Sequence, residues 1–273
     1  MKEYQTHQLR NIALVSHNGA GKTTFVERVL FNSGVTTRMG DVANGTAAMD
    51  FEEEEIARQG SISAALAPVE YRDIKFNFID TPGYADFIGE VNSSLRVVEG
   101  AVVFVEAVAG VEVGTEIVWQ ELDRLNLPRL LVVNKMDREN VRVERVMQSI
   151  AERLEATFVQ FQLPIGEGEE FEGIVDLLTM KARLGADDKS APIPDSLTDA
   201  AEEARFELIE AAAEGEDEIL MKYLEGEELT DAEIKNGLKA AINKGQIVPI
   251  FYAAPQPGIA VEPVLEAMKD LLP

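Results

Sequence analysis

The chain has 273 residues, of which 46% are hydrophobic and 7% aromatic, so it can bury one substantial core with an appended subdomain. Its formal net charge of −24 argues against a general nucleic-acid-binding surface, and the lack of cysteine excludes disulfides, thiolate metal sites and cysteine nucleophiles. No stretch approaches the roughly 18 apolar residues of a membrane-spanning helix, and no signal-type apolar run follows the charged start, so we expect a cytoplasmic location.

Apolar segments of strand length alternate along the chain with segments of helical period. This alternation predicts an α/β fold, in which a mostly parallel sheet carries helices on both faces. The predicted strands are residues 12–16, 75–80, 101–106, 130–134, 157–162 and 247–252, with an antiparallel edge at 65–71. The predicted helices are residues 22–32, 87–99, 114–125, 142–154 and 261–272.

A small-residue turn connects the first predicted strand to the first predicted helix. It reads Ser16-His17-Asn18-Gly19-Ala20-Gly21-Lys22-Thr23. The backbone N–H groups of such a turn attract phosphate, while Lys22 is placed to reach the β- and γ-phosphates and Thr23 to ligate Mg²⁺. Ser16 replaces the first glycine of the usual spacing, so an ordinary glycine-rich turn is the alternative. The predicted nucleotide contacts are Asn18, Gly19, Ala20, Gly21, Lys22, Thr23 and Thr24.

Residues 36–63 are rich in Gly, Ala, Thr and Glu and lack a sustained apolar period. Loops of this length in a compact domain are usually functional or disordered, and ordering by a γ-phosphate lets such loops report the nucleotide state. We therefore interpret the segment as a candidate switch, with a mobile polar loop as the alternative. The four glutamates at residues 52–55 are predicted to form a solvated acidic face.

A carboxylate ends the predicted strand at residues 75–80. Asp80 is followed by Thr81-Pro82-Gly83, and we predict that it holds Mg²⁺, directly or through water, on the far side from Thr23. The Gly83 N–H is placed to sense a γ-phosphate, since glycine lets the backbone approach closely.

The predicted strand at residues 130–134 runs into Asn134-Lys135-Met136-Asp137. A short carboxylate here can accept hydrogen bonds from the N1–H and 2-amino groups of guanine, a donor pair that adenine lacks. Unpaired polar groups against the wrong base would cost about 1 to 3 kcal/mol each. Asn134, Lys135 and Asp137 are therefore predicted to contact the base, with a charged turn after a strand as the alternative.

The character of the chain changes between residues 166 and 244. This segment opens with Gly-Glu-Gly-Glu-Glu, continues with a strand-like piece at 171–178, and then carries acidic helical patterns at 200–214, 218–224 and 231–243. Apolar spacing survives throughout, which indicates a folded segment. We divide the chain into the first part of a nucleotide-binding domain, an inserted acidic subdomain, and a last strand and helix, at residues 1–165, 166–244 and 245–273.

Longer stretches around these motifs carry a specific resemblance. They are residues 80–87, 90–96, 115–119 and 128–138. From about Leu9 onward the chain resembles the GTP-binding domain of the translational GTPases, and most of all that of bacterial elongation factor G and its paralogues. The resemblance implies a monomeric, ribosome-associated GTPase with GTP, GDP and Mg²⁺ as ligands, and further domains beyond Pro273.

The resemblance also implies roles for residues outside the motifs above. Ser61 falls where the family has a threonine hydroxyl that completes the Mg²⁺ shell, and a slip in register would put Ser63 there instead. Ala253 and Ala254 stand at a Ser-Ala pair that offers a backbone N–H to guanine O6. Residues 166–244 correspond to the subdomain that elongation factor G inserts. Its acidity is either a merely soluble surface or a docking face for a basic partner such as the ribosomal stalk protein.

Two departures from the family bear on catalysis. Gly19 stands where these factors commonly carry aspartate, which puts a monovalent-cation site in doubt. Tyr84 stands where they carry the histidine that orients the attacking water. With a reference pKa of about 10, tyrosine stays a neutral phenol that can hold a water and supplies no positive charge. Tyr84, Lys22 and Gly83 are the predicted catalytic residues.

We therefore expect a GTPase that hydrolyses GTP to GDP and phosphate, slowly without the ribosome. One alternative is a nucleotide-gated ribosome-binding module, in which Tyr84 makes hydrolysis negligible. A P-loop ATPase or kinase is a second alternative, against which Asp137 argues.

Overall fold

The computed structural model describes residues 3–273 and centres on a seven-stranded sheet. In spatial order its strands are β2 (Ala65–Tyr71), β3 (Ile74–Asp80), β1 (Leu9–Val15), β4 (Gly100–Glu106), β5 (Arg129–Asn134), β11 (Val248–Ala253) and β6 (Phe158–Gln160). All neighbouring pairs are parallel except β2 with β3. The predicted antiparallel edge at residues 65–71 is therefore confirmed.

Helices cover both faces of this sheet. Helices α1 (Lys22–Asn32) and α9 (Val261–Leu271) pack on one face, and α3 (Ile88–Ser94), α4 (Val113–Leu125) and α5 (Val143–Arg153) pack on the other. Strand β1 contributes to both cores, with Ile12 and Leu14 in the first and Ala13 and Val15 in the second. This alternation follows the two-residue period of a strand. The predicted α/β fold is confirmed.

The predicted strand at residues 157–162 is wrong as a single element, because it divides at Phe161. Its first part is β6, whereas β7 (Gln162–Ile165) begins a second, antiparallel sheet with β8 (Gly173–Asp176), β9 (Lys181–Leu184) and β10 (Lys189–Ala191). The Phe161 N–H donates to the Ile250 carbonyl in the main sheet, and its carbonyl accepts from the Leu177 N–H. Phe161 thus links β11 of the main sheet to the residue that directly follows β8.

Three helices follow the second sheet: α6 (Thr198–Gly215), α7 (Asp217–Leu224) and α8 (Asp231–Asn243). Helices α6 and α8 approach closely because Gly237 has no side chain, since a Cβ there would lie 2.1 Å from the Ala212 carbonyl oxygen. Leu208 of α6 and Leu238 of α8 are fully buried and belong to the same core as Phe25 of α1. The inserted helices therefore cover part of the main sheet.

Two further predicted segments differ from the structure. The helix predicted at residues 87–99 is shorter, as α3, and a 3₁₀ turn (Ala85–Phe87) precedes it. The hydroxyls of Ser93 and Ser94 donate to carbonyls four residues back, a contact that disfavours helix continuation. The segment predicted to be irregular contains a short helix, α2 (Glu53–Arg58). It is too short to show a helical period of apolar residues in the sequence.

No helix within residues 3–273 is long and apolar enough to cross a membrane.

Candidate functional site

A cavity of about 460 Å³ opens at the edge of the main sheet where β1, β3, β5 and β11 end. Ligands of open α/β sheets bind at such carboxyl ends. The predicted site residues that line the cavity are Asn18, Gly19, Gly21, Lys22, Thr23, Thr24, Ser61, Gly83, Asn134, Lys135 and Asp137. The fold thus gathers residues from four separate stretches of sequence around one space.

The turn at residues 16–23, here named the phosphate loop, is fastened to strand β5, which leads into residues 134–137, here named the base motif. The Asn134 side-chain amide donates to the carbonyl of Ala20 at 2.7 Å. Gly21 begins helix α1 with φ +92°, and a Cβ at this position would lie 2.5 Å from Asn134 Nδ2. Glycine is therefore needed at position 21 for both its backbone conformation and this close approach.

Lys22 is buried beneath the phosphate loop. Its Nζ donates to Ser16 Oγ at 3.0 Å and to the His17 carbonyl at 3.4 Å. Burial lowers the pKa of Lys22 to about 8, while Asp80 and Asp50 act in the opposite direction. Ser16, the departure from the usual loop spacing, is thus the residue that holds the lysine along the loop.

Two hydroxyl groups meet at the end of the cavity next to helix α1. Thr23 Oγ1 donates to Asp80 Oδ2 at 2.6 Å, and Ser61 Oγ donates to Asp50 Oδ1 at 2.6 Å. The two hydroxyl oxygens lie 3.3 Å apart. Because a carboxylate engages each proton, oxygen lone pairs face the space between them. An all-oxygen donor set of this kind fits a hard cation such as Mg²⁺.

The two carboxylates at this end keep free acceptor capacity. Asp80 Oδ1 and Asp50 Oδ2 are buried without a hydrogen-bond partner among residues 3–273. Burial raises the pKa of Asp80 to about 7, while Lys22 and the Thr23 hydroxyl favour its charged form. No group of three or more His, Cys, Asp or Glu side chains in the described chain is arranged to hold a metal. A cation here would therefore need hydroxyl and ligand oxygens in addition.

The base motif forms the opposite end of the cavity. Lys135 has φ +60° and lies beside Gly21, where a Cβ would meet its Cε at 3.4 Å. Burial lowers the pKa of Lys135. Asp137 is half-buried, and its carboxylate makes no hydrogen bond within the part of the chain that the structure describes. An open carboxylate at this place can accept two donors from a ligand.

The two alanines predicted at the base are buried behind this end of the cavity. The Ala253 carbonyl accepts from the Met136 N–H at 3.2 Å, which ties β11 to the base motif. The Ala254 N–H already donates to the Ile259 carbonyl at 3.0 Å. It can reach a base oxygen only if that pairing opens.

The family model of the Elongation factor Tu GTP binding domain matches residues 7–273. The chain belongs to this family. It is therefore a translational GTPase domain that binds guanine nucleotides. The crystal structure of a protein from Thermus thermophilus is similar over 98% of this chain, with a TM-score of 0.93 and 33% sequence identity. The match covers 40% of that protein, so the GTPase domain spans less than half of this relative's length.

Gly83 and Tyr84 occupy different positions relative to the nucleotide cavity of the GTPase domain. A Cβ at Gly83 would lie 2.5 Å from the backbone nitrogen of Asn18, so the Gly83 backbone lies directly against the phosphate loop. Tyr84 is 39% exposed and does not line the cavity. Its ring stands edge-on to Phe87 and next to Gly60, where a Cβ would meet Tyr84 Cε2 at 3.2 Å.

Within the candidate switch segment, residues 36–63, the prediction of a solvated face at residues 52–55 is wrong for Glu55. This side chain is fully buried, and its Oε1 accepts the N–H groups of Ile62 at 2.9 Å and Ser63 at 3.0 Å. Its other oxygen accepts the Glu52 N–H, which closes a capping box at the start of α2. The segment therefore folds around a carboxylate, and Ser61 rather than Ser63 faces Thr23.

Two residues that shape the cavity were missed by sequence reasoning. Asp50 gave no signal beyond being one acidic residue in a polar loop, yet its carboxylate holds Ser61. Arg28 of α1 donates to the Pro255 carbonyl at 2.7 Å and also to the Gln256 carbonyl, and both of these residues line the base end. A contact across 227 positions leaves no local pattern that would reveal it.

Proposed function

We propose that this chain is the GTP-hydrolysing domain of a ribosome-associated translation factor similar to elongation factor G, and that it acts with Mg²⁺. One observation carries the proposal. A single cavity has Lys22 and Thr23 at one end, where the buried Asp80 accepts from the Thr23 hydroxyl, and Asp137 at the other. The first end suits a Mg²⁺-bound triphosphate and the second suits guanine.

The phosphate end supports binding and charge neutralisation. Thr23 and Asp80, with Ser61, are the residues that would hold Mg²⁺, and bound Mg²⁺ supplies positive charge to the phosphate oxygens. The Lys22 ammonium is held beside the loop by hydrogen bonds to the Ser16 hydroxyl and the His17 carbonyl. An anionic ligand in the loop would compete for that ammonium and favour its charged form. The predicted phosphate contacts Asn18, Gly19, Ala20, Gly21 and Thr24 complete the proposed cradle.

The base end supports guanine selection. The free carboxylate of Asp137 can accept hydrogen bonds from the N1–H and 2-amino groups of guanine. Asn134 contributes indirectly by fastening the phosphate loop, and Lys135 packs under Gly21. Ala253 and Ala254 support the loop from behind.

For hydrolysis we propose that Gly83 contacts the γ-phosphate and that Tyr84 positions the attacking water. Phosphoryl transfer needs positioning and charge stabilisation more than covalent help. The Tyr84 phenol makes no hydrogen bond within the described residues and stands outside the cavity. It would have to swing inward, so we expect slow intrinsic hydrolysis that a partner stimulates.

The proposed partner is the ribosome, with residues 166–244 as the contact for a basic stalk protein and no membrane involved. We propose that the domain acts as a monomer in the cytoplasm and forms part of a longer factor. The division at residues 1–165, 166–244 and 245–273 belongs to the same proposal. Support comes from the family match over residues 7–273 and from the relative that is longer than this chain.

The test is phosphate release by the full-length factor, measured against ribosome concentration for the parent and for Tyr84→His. Because one positioning side chain is worth about 10² to 10⁴ in rate, we expect Tyr84→His to accelerate ribosome-stimulated hydrolysis at least tenfold with nearly unchanged GTP affinity. Equal turnover of both variants would remove Tyr84 from the catalytic position. Stimulation of Tyr84→His alone would favour the nucleotide-gated binding module.

A further inference from the structure

Glu27 of helix α1 has a buried carboxylate that the proposed chemistry does not use. The side chain is 1% exposed, and it does not line the nucleotide cavity. Its Oε1 accepts the N–H of Ala48 at 2.6 Å and the N–H of Met49 at 3.0 Å. Both donors belong to the switch segment. Backbone donors of this kind offset part of the cost of burying a carboxylate.

Gly40, earlier in the same segment, lies against the second carboxylate oxygen of Glu27. A Cβ at Gly40 would lie 2.1 Å from Glu27 Oε2 and 2.8 Å from the Cα of Ala47. Only a glycine allows the backbone to come this close. Residues 40 and 47–49 therefore converge on one carboxylate of α1, which fixes the fold of the stretch between them.

The position of residues 40–49 affects the geometry at the phosphate end of the cavity. Asp50 directly follows Met49, and its carboxylate accepts from Ser61, whose oxygen lies 3.3 Å from that of Thr23. Release of residues 48 and 49 from Glu27 would free Asp50 to move, and Ser61 with it. The carboxylate thus acts on the phosphate end through the backbone of the switch segment.

We propose that Glu27 is a positioning residue that holds residues 40–49 against α1 and thereby raises the affinity of the domain for GTP relative to GDP. The proposal rests on the proposed function, because it assumes that this end of the cavity holds the γ-phosphate. A switch segment held in place offers Asp50 and Ser61 to the triphosphate and its cation. A diphosphate ends before reaching them, so its affinity does not depend on Glu27.

The neighbouring residue provides a matched comparison. Arg28 follows Glu27 in α1, and its side chain donates hydrogen bonds to the carbonyls of Pro255 and Gln256 at the base end. GDP and GTP share the base, so loss of Arg28 should weaken both nucleotides by the same factor. Two adjacent side chains on one helix are thus assigned different effects on the ratio of the two affinities.

The experiment measures two affinities of the full chain, one for fluorescent GDP and one for a fluorescent, non-hydrolysable GTP analogue. The same measurements are made on Glu27→Gln, on Arg28→Met and on the exposed control Glu144→Gln. Glu27→Gln keeps one acceptor oxygen but replaces the carboxylate oxygen beside Gly40 with an NH2 group, so it should weaken analogue binding on the order of tenfold and leave GDP binding within about twofold. Arg28→Met should leave the ratio unchanged. Gly40→Ala, which disturbs the contact from the switch side, should reproduce the effect of Glu27→Gln.

Trypsin provides a second readout that reports the segment itself. Arg38 and Arg58 are the only Lys or Arg residues between positions 29 and 71, and both are exposed. The GTP analogue should slow cleavage there in the parent but not in Glu27→Gln. An unchanged affinity ratio and unchanged protection in both Glu27→Gln and Gly40→Ala would overturn the positioning role alone. A parent chain that binds neither nucleotide would overturn the proposed function together with it.

Discussion

The two ends of the nucleotide cavity are built in different ways. At the phosphate end the charged groups are buried and bonded to protein neighbours, Lys22 to Ser16 and Asp80 to Thr23. At the base end Asp137 is half-buried and free of hydrogen bonds within the described chain. The loops there are held through their backbones instead, for example by Arg28.

The difference indicates which property each end controls. Buried charges at the phosphate end have lost their water, so they interact strongly with any ligand charge that replaces it. They should determine how tightly a triphosphate and its cation bind, whatever the base. The open carboxylate at the base end gains only from a ligand with matching donors, so it should determine which base is accepted.

The sharpest test of the base end is Asp137→Asn. We expect the preference to move from guanine toward xanthine nucleotides by roughly a hundredfold or more, because the amide donates to the 2-oxo group where the carboxylate accepted from the amino group. Competition of GTP, XTP and ATP for the domain measures this. Glu139→Gln, an exposed change in the same loop, should leave selectivity unaltered. Equal competition by GTP and ATP in the parent would contradict the assignment of this end.

At the phosphate end, Lys22→Ala should weaken triphosphate binding on the order of a hundredfold, because a charge-assisted contact to the phosphates is lost. The loss should be similar for GTP and XTP, since Lys22 does not touch the base end. Nucleotide titrations of the parent, Lys22→Ala and the exposed control Lys181→Ala measure it. Unchanged affinity in Lys22→Ala would place the phosphates elsewhere.

A smaller effect is expected for Thr23→Ala. Removal of this hydroxyl should weaken GTP binding about tenfold when Mg²⁺ is present and very little when EDTA removes the cation. Thr23→Ser keeps the oxygen and should restore most of the affinity. If the loss in Thr23→Ala is the same with and without EDTA, Thr23 supports the loop and does not ligate a cation.

Much of the fold and part of the site were predictable from the sequence. Strand and helix periods identified the parallel sheet, and motifs at strand ends had to converge because parallel strands end at one edge. This reasoning placed Lys22 and Asn134 at one cavity, with Asp80 buried behind Thr23. The motif order also identified the family that the comparison confirms.

The remainder depended on contacts between residues distant in sequence. Glu55 belongs to a run of four glutamates, and no local pattern tells that one of them turns inward to accept two backbone N–H groups. Asp50 and Glu27 likewise meet their hydrogen-bond partners only once residues 40–61 fold over α1. The division at Phe161 requires knowing that its N–H bonds to β11 while its carbonyl bonds to Leu177, directly after β8.

The shared role of Phe161 has a consequence for engineering. Its ring lies 5.4 Å from that of Phe251, in the apolar core that Leu208 and Leu238 of the inserted helices also fill. A shortened protein lacking residues 166–244 would expose this part of the main sheet to water. We expect such a deletion to aggregate through the uncovered apolar patch. Grafts that exchange the insert between relatives must therefore carry the matching face of the sheet with it.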